Sequence, residues 1–214
     1  MLGASMRSGA KVRNPPKQLR ARLKREALIS AASAEFAECG YEQSTAKSIA
    51  ARAGVASGSF YQHFDNKDEI LRVVAEVRFG NIAEQLVVPS LPANGVGLKD
   101  LDVEALFYQA LAYVHDFHAN DTALHDVLEQ RRRVDPALNA LISEREAMLL
   151  QKVRRFVALF EIRQGDAVAF ALHAMAEGLI HRHVFQPSPI SREELLRAGS
   201  KMLAAYFERL RQGD

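Results

Sequence analysis

Residues 44–71 read STAKSIAARAGVASGSFYQHFDNKDEIL, and this stretch decides the fold. Ser44 and Thr45 carry side-chain oxygens that can accept from the unpaired N–H groups at a helix start. Ile49, Ala50 and Ala53 then fall on one face at helical spacing. Gly54 ends that first helix, because a left-handed residue is cheap only for glycine, and Val55 plugs the corner. A second helix is expected over residues 56–64. Its Phe60, His63 and Phe64 turn inward, and its small, polar face of Ser57, Gly58, Ser59, Tyr61 and Gln62 turns outward. Gly58 costs stability in so short a helix; close approach of its backbone to DNA or to the preceding helix is the expected reason for it. A further helix starts near Lys67, capped by Asp65 or Asn66, with Asp68 and Glu69 at its positive end. Two short helices joined at a glycine corner form the layout of a helix-turn-helix, which lays its second helix in a major groove.

Upstream, the spacing predicts a helix over residues 17–38 with Leu28, Ala31, Ala32, Glu35 and Phe36 on its face. Phe36 and Tyr41 close a small core. Residues 28–71 resemble the DNA-binding domain of TetR-type transcriptional regulators. The matching pieces are Ala31-Ala32, Phe36, Gly40-Tyr41, Thr45, Ile49-Ala50, Ala53-Gly54-Val55, Gly58, Tyr61, His63-Phe64 and Lys67. One departure is Ala56, where the family often has a capping serine or threonine; alanine cannot cap, which leaves that task to Ser57 or the helix start frayed. Base reading is expected from Ser57, Ser59 and Gln62, the last able to bond adenine in bidentate fashion. Thr45, Lys47, Tyr61, His63, Lys67 and Arg20 are expected on phosphates, with the resemblance favouring Tyr61 and Lys67. For His63 the alternative is a packing role.

Charge is unevenly spread. Residues 1–25 carry eight basic and no acidic side chains, whereas the 214-residue chain is +2, so residues 26–214 sum to −6. A basic arm on an acidic body suits phosphate attraction. Residues 1–16 are expected to be disordered, ended by Pro15-Pro16, with Met6 an alternative start. Arg20, Arg22, Lys24 and Arg25 follow on the first helix, within reach of phosphates, where contacts position a protein without reading sequence. No apolar run approaches the roughly 18 residues of a membrane span, and no signal peptide is evident. A cytoplasmic protein that does not engage membranes is expected. Cys39 is the single cysteine, so no internal disulfide forms.

The remainder also reads as helix. A linking helix runs from Lys67 to about residue 88, and residues 89–99, rich in proline and glycine, read as a loop. Apolar stripes then mark helices from Val103 to Phe117, over residues 123–132, from Pro136 to Phe160, and over residues 165–183. A last helix opens with the capping box Ser191 and Glu194. The fold class is therefore all-α: a basic arm (1–16), a three-helix helix-turn-helix domain (17–66), and a linking helix with a ligand-binding and dimerisation domain (67–214).

The resemblance implies a homodimer through the last two long helices, joined as a four-helix bundle. Ala167, Ala169, Ala171, Ala174, Ala176 and Gly178 permit close contact there, beside the stripe of Val168, Leu172, Met175, Leu179 and Val184. The alternative is that both stripes are internal core. A dimer sets two recognition helices one helical turn of DNA apart, about 34–36 Å, over a palindromic operator of double-stranded DNA. The resemblance also implies an effector pocket in the second domain, for a small apolar or amphipathic molecule. Its candidate lining is Phe107, Leu111, Val114, Phe117, His118, Met148, Phe156, Phe170, His173, Met175 and Glu177. His115 and His118 lie one turn apart, but no carboxylate or thiol at matching spacing completes a site, so no metal and no cofactor is expected. His181-Arg182-His183 reads as surface. No phosphate loop, nucleophile elbow or His-Glu-x-x-His motif supports an enzyme. Three functions follow: a repressor released by an effector, a constitutive DNA-binding dimer, or a helical carrier or enzyme with an incidental helix-turn-helix.

Overall fold

The computed structural model describes residues 17–85, 97–98 and 101–212. The expected basic arm, the end of the linking helix near residue 88 and most of the 89–99 loop lie outside these residues. Among the described residues there are nine helices and no strand. They are α1 (Lys17–Gln43), α2 (Ala46–Arg52), α3 (Ser57–Phe60), α4 (Lys67–Gln85), α5 (Val103–Ala119), α6 (Thr122–Arg132), α7 (Pro136–Ala158), α8 (Gly165–Phe185) and α9 (Arg192–Arg211). None of them is long and apolar enough to cross a membrane.

Starts and stops follow side-chain chemistry. Asp102, Asp121 and Asp135 cap α5, α6 and α7 by accepting from backbone N–H groups two or three residues on. Pro136 fills the first turn of α7, where its missing N–H costs nothing. Ser191 and Glu194 form the expected capping box of α9. α1 runs past the predicted end at Glu38 and kinks at Gly40, whose φ of 74° only glycine adopts freely. There Ser44 Oγ donates to the Gly40 carbonyl at 2.6 Å and closes the corner.

Two apolar cores form. The first gathers Leu28, Ala32, Phe36, Ile49, Phe60, Phe64, Ile70 and Leu71, then continues without interruption into Leu124, Leu128, Leu138 and Ile142 of α6 and α7. The second joins α5, α7, α8 and α9 through Leu111, Phe156, Leu172, Ile180, Leu196 and Phe207. The first core thus bridges residue 66, and ion pairs reinforce that bridge. Arg72 on α4 bonds Asp135 at 3.0 Å, and Arg131 on α6 bonds Asp68 at 3.0 Å while lying 3.9 Å from the Tyr41 ring centroid.

Candidate functional site

The helix-turn-helix, the candidate DNA reader, is built from α2, α3 and their corner. Thr45 caps α2 by accepting from Ser48 N, and Ser48 reciprocates by accepting from Thr45 N. Gly54 takes φ 68° at the corner, as expected, and Val55 N then bonds the Ala50 carbonyl at 3.0 Å. α3 is shorter than predicted. Regular helix covers only Ser57–Phe60, and turns carry the chain through Tyr61, Gln62 and His63. Ala56 occupies the N-cap position with no side-chain cap, and Ser57 does not take over. Phe60 is fully buried and Phe64 nearly so, which fixes the direction of the opposite side.

That opposite side exposes Ser57, Gly58, Tyr61 and Gln62. Ser59 is corrected: it is 9% exposed and sits on the core side, because two residues along a helix is a turn of about 200° from Ser57. A Cβ added at Gly58 would meet no atom of the chain, so packing against the preceding helix does not explain this glycine. Lys47, Thr45 and Arg20 are exposed, and His63 is half-buried. Lys67 turns inward in part. Its ammonium donates to the carbonyls of Tyr41 at 2.7 Å and Ser44 at 3.0 Å, and lies 3.9 Å from the Tyr41 ring centroid. Tyr41 is internal as well. Its hydroxyl donates to Asp68, and burial together with that bond pushes its pKa up to about 12.

A second site lies deeper, in two adjoining hollows. A polar cleft of about 280 Å³ is lined by Phe79 of α4, Phe117 and His118 of α5, His125, Glu129 and Arg132 of α6, Glu146 and Leu149 of α7, and His173, Glu177 and His181 of α8. An apolar hollow of about 90 Å³ shares Leu149, His173 and Glu177 with it and adds Phe107, Leu111, Val114, Val153, Leu172 and Leu203. Seven of the expected pocket residues thus line one hollow or the other: Phe107, Leu111, Val114, Phe117, His118, His173 and Glu177. Phe156 instead belongs to the core stack with Phe107 and Phe207, and Met175 packs against that core. Met148 and Phe170 are corrected, being 41% and 61% exposed. Leu149 takes the inward position on α7. On α8 the inward positions are Val168 and Leu172, and Phe170 lies half a turn from both.

The sequence reading placed His118 in the pocket but did not join it to His125 and His181. His118, His125 and His181 come from three helices, yet each offers a ring nitrogen within 4.8 Å of the others. Phe185 stacks on His125 at 4.4 Å between centroids. His181 is half-buried and faces this cleft, which corrects its reading as surface. Glu177, one turn before His181, places Oε2 3.4 Å from His181 Nε2 and 3.8 Å from His118 Nε2. Burial pushes the His118 pKa down to about 4 and lowers that of His125, so both offer neutral imidazoles. The bond to Glu177 raises His181. Burial alone would raise Glu177, but its bond to His181 and the neighbouring imidazoles hold it below the usual range. A separate pair, His115 Nε2 and His183 Nδ1, lies at 3.1 Å.

Known proteins resemble both halves. Residues 28–74 match the family described as bacterial regulatory proteins, tetR family. The HTH-type transcriptional repressor KstR2 of Rhodococcus jostii (strain RHA1) is 43% identical over 117 residues, 50% of this chain and 54% of the relative. The fatty acid metabolism regulator protein of Bacillus subtilis (strain 168) is 41% identical over 59 residues, 28% of this chain and 30% of that one. The chain thus spans about half the length, or less, of the curated relatives it matches. A TetR-family transcriptional regulator from Mesorhizobium loti MAFF303099 superimposes with a TM-score of 0.73 at 19% identity, over 89% of this chain and 98% of the other, a likeness of fold. Residues 28–74 thus carry the helix-turn-helix of the tetR family, and the all-helical frame shares the fold of a solved TetR-family structure.

Proposed function

We propose that the chain is a homodimeric, sequence-specific DNA-binding transcriptional regulator, a repressor released from a palindromic operator by a small molecule. The observation that carries this reading is the outward surface of Ser57, Gly58, Tyr61 and Gln62, held by the buried Phe60 and Phe64 behind it. Ser57 and Gln62 read base edges, and Thr45, Lys47, Tyr61 and the basic face of α1 hold phosphates. The repressor sense is supported by the name of the KstR2 relative.

Dimerisation uses the outer face of the last two helices. Phe170, Ala174 and Gly178 of α8 and Met202 and Tyr206 of α9 are exposed, while Val168, Leu172 and Leu179 pack within the chain. The stripe of small residues therefore divides, and its outward half is the contact. α4 couples the two sites. Arg78 donates to the carbonyl of Phe117 at 3.1 Å, and the adjacent Phe79 lines the histidine cleft. A molecule that binds better to a conformer with α4 displaced shifts the population away from the spacing that DNA requires.

Selection of bound DNA from a random library tests the reading. A palindrome whose half-sites lie one helical turn apart, bound with steep salt dependence, is expected. Binding without sequence preference would overturn it. A ligand that saturates the second domain yet leaves operator affinity unchanged would favour the constitutive dimer.

A further inference from the structure

We propose that His118, His125, His181 and Glu177 form a four-ligand site for a divalent transition metal of the zinc class, where α5, α6 and α8 converge. Tetrahedral zinc holds its nitrogen ligands at 2.0–2.1 Å, which sets ligand atoms about 3.3 Å apart. Glu177 Oε2 already stands 3.4 Å from His181 Nε2 and 3.8 Å from His118 Nε2. One ring nitrogen of each of the three imidazoles lies within 4.8 Å of the others, so the ligands need only draw in to reach that spacing.

The charge of the wall and the type of donor point to a cation. His118 is 5% exposed, and its Nδ1 has no hydrogen-bond partner. The nitrogen that faces Glu177 is Nε2, so Nε2 and not the unpaired Nδ1 is the ligating atom. The wall carries Glu129, Glu146 and Glu177 against the single cation Arg132, which is already bound to Glu129 and Glu146. Arg78 beside it is paired with Asp121 at 3.4 Å. Three carboxylates against one guanidinium suit a divalent cation and disfavour a carboxylate effector. Imidazole donors select zinc, copper or nickel over magnesium and calcium. Four protein ligands leave no open position, so the metal fastens three helices together and performs no chemistry.

The test uses the full chain, stripped with a chelator and free of DNA, so its outcome is independent of the operator reading. Calorimetric titration with Zn(II) is expected to show one ion per chain. Co(II) is expected to give the intense visible absorption of four-coordinate cobalt, and Mg(II) to give no binding. His125→Ala and His181→Gln should each weaken Zn(II) by at least about tenfold with unchanged far-ultraviolet circular dichroism. Zinc should raise the melting temperature of the unaltered chain but not of His125→Ala. His183→Ala, which breaks the separate His115–His183 pair, should leave binding intact. Absence of stoichiometric uptake overturns the proposal. So does binding that survives both His125→Ala and His181→Gln, or that is lost in His183→Ala instead.

Discussion

Residues 44–66 and the histidine cleft both present polar groups on a helical frame, but only one of them is saturated from within. In the reader Ser44 bonds Gly40, Thr45 and Ser48 cap each other, and Lys67 closes the carbonyls of Tyr41 and Ser44. Among the described residues, the buried side-chain nitrogens without a partner belong to Arg78, His115, His118, Arg131 and Arg145, all outside residues 44–66. A saturated element holds its shape before its ligand arrives. An unsaturated one gains most when something enters. The reader is therefore a preorganised surface, whereas the cleft is a place where occupancy changes stability.

The largest expected effect tests that preorganisation. Phe60 is fully buried and packs on Tyr61 and Phe64, with ring centroids 5.3 and 5.8 Å away. Phe60→Ala should cost about 3–5 kcal/mol, read as a lower urea midpoint, with DNA binding lost in parallel. A cost below about 1 kcal/mol would mean that the reader does not depend on this ring and that the contrast with the cleft is misplaced.

Gln62→Ala comes next and separates shape from reading. The side chain is exposed, so stability should move by less than about 0.5 kcal/mol. Affinity for the selected operator should fall by about 1–3 kcal/mol, with preference relaxed at one base pair. A uniform loss across all sequences would make Gln62 a phosphate contact instead. Asp135→Ala probes the seam between the two regions. Asp135 is 7% exposed, caps α7 through the N–H groups of Ala137 and Leu138, and bonds Arg72 of α4. Its loss should cost about 1–2 kcal/mol in thermal or urea unfolding. Asp135→Asn should recover most of this by keeping the cap, since the half-exposed Arg72 pair contributes little.

The same contrast explains what could be read in advance. The reader is local: Thr45, Gly54, Phe60 and Phe64 act within about 20 residues, and their caps, corner and core face follow from spacing. The burial of Ser59 is a matter of helical phase. α3 is a single turn, so one residue decides which side faces the core. The cleft is non-local. His118, His125 and His181 sit on α5, α6 and α8, and no spacing along the chain announces that three helices will bring them within 4.8 Å. Only a signal of pairing between positions could have shown it. Phe170 and Met148 were misplaced for a related reason: an apolar residue on an amphipathic helix does not reveal whether the chain or a partner covers it.

The smallest expected effect runs against intuition and bears on what the reader is preorganised for. Gly58 has ordinary negative φ, and a Cβ there would meet nothing within 4 Å. Within the free chain, Gly58→Ala should therefore be stabilising, by about 0.4–1 kcal/mol, through reduced freedom of the unfolded state. A glycine that lowers the stability of a one-turn helix with no internal packing reason is explained if the groove, not the chain, needs that space. The added methyl would then stand between α3 and the DNA, and operator affinity should fall while the melting temperature rises. Opposite signs in the two measurements are the expected signature. If both rise together, backbone approach at Gly58 is not what seats this helix, and the contact surface shifts toward Tyr61 and Gln62.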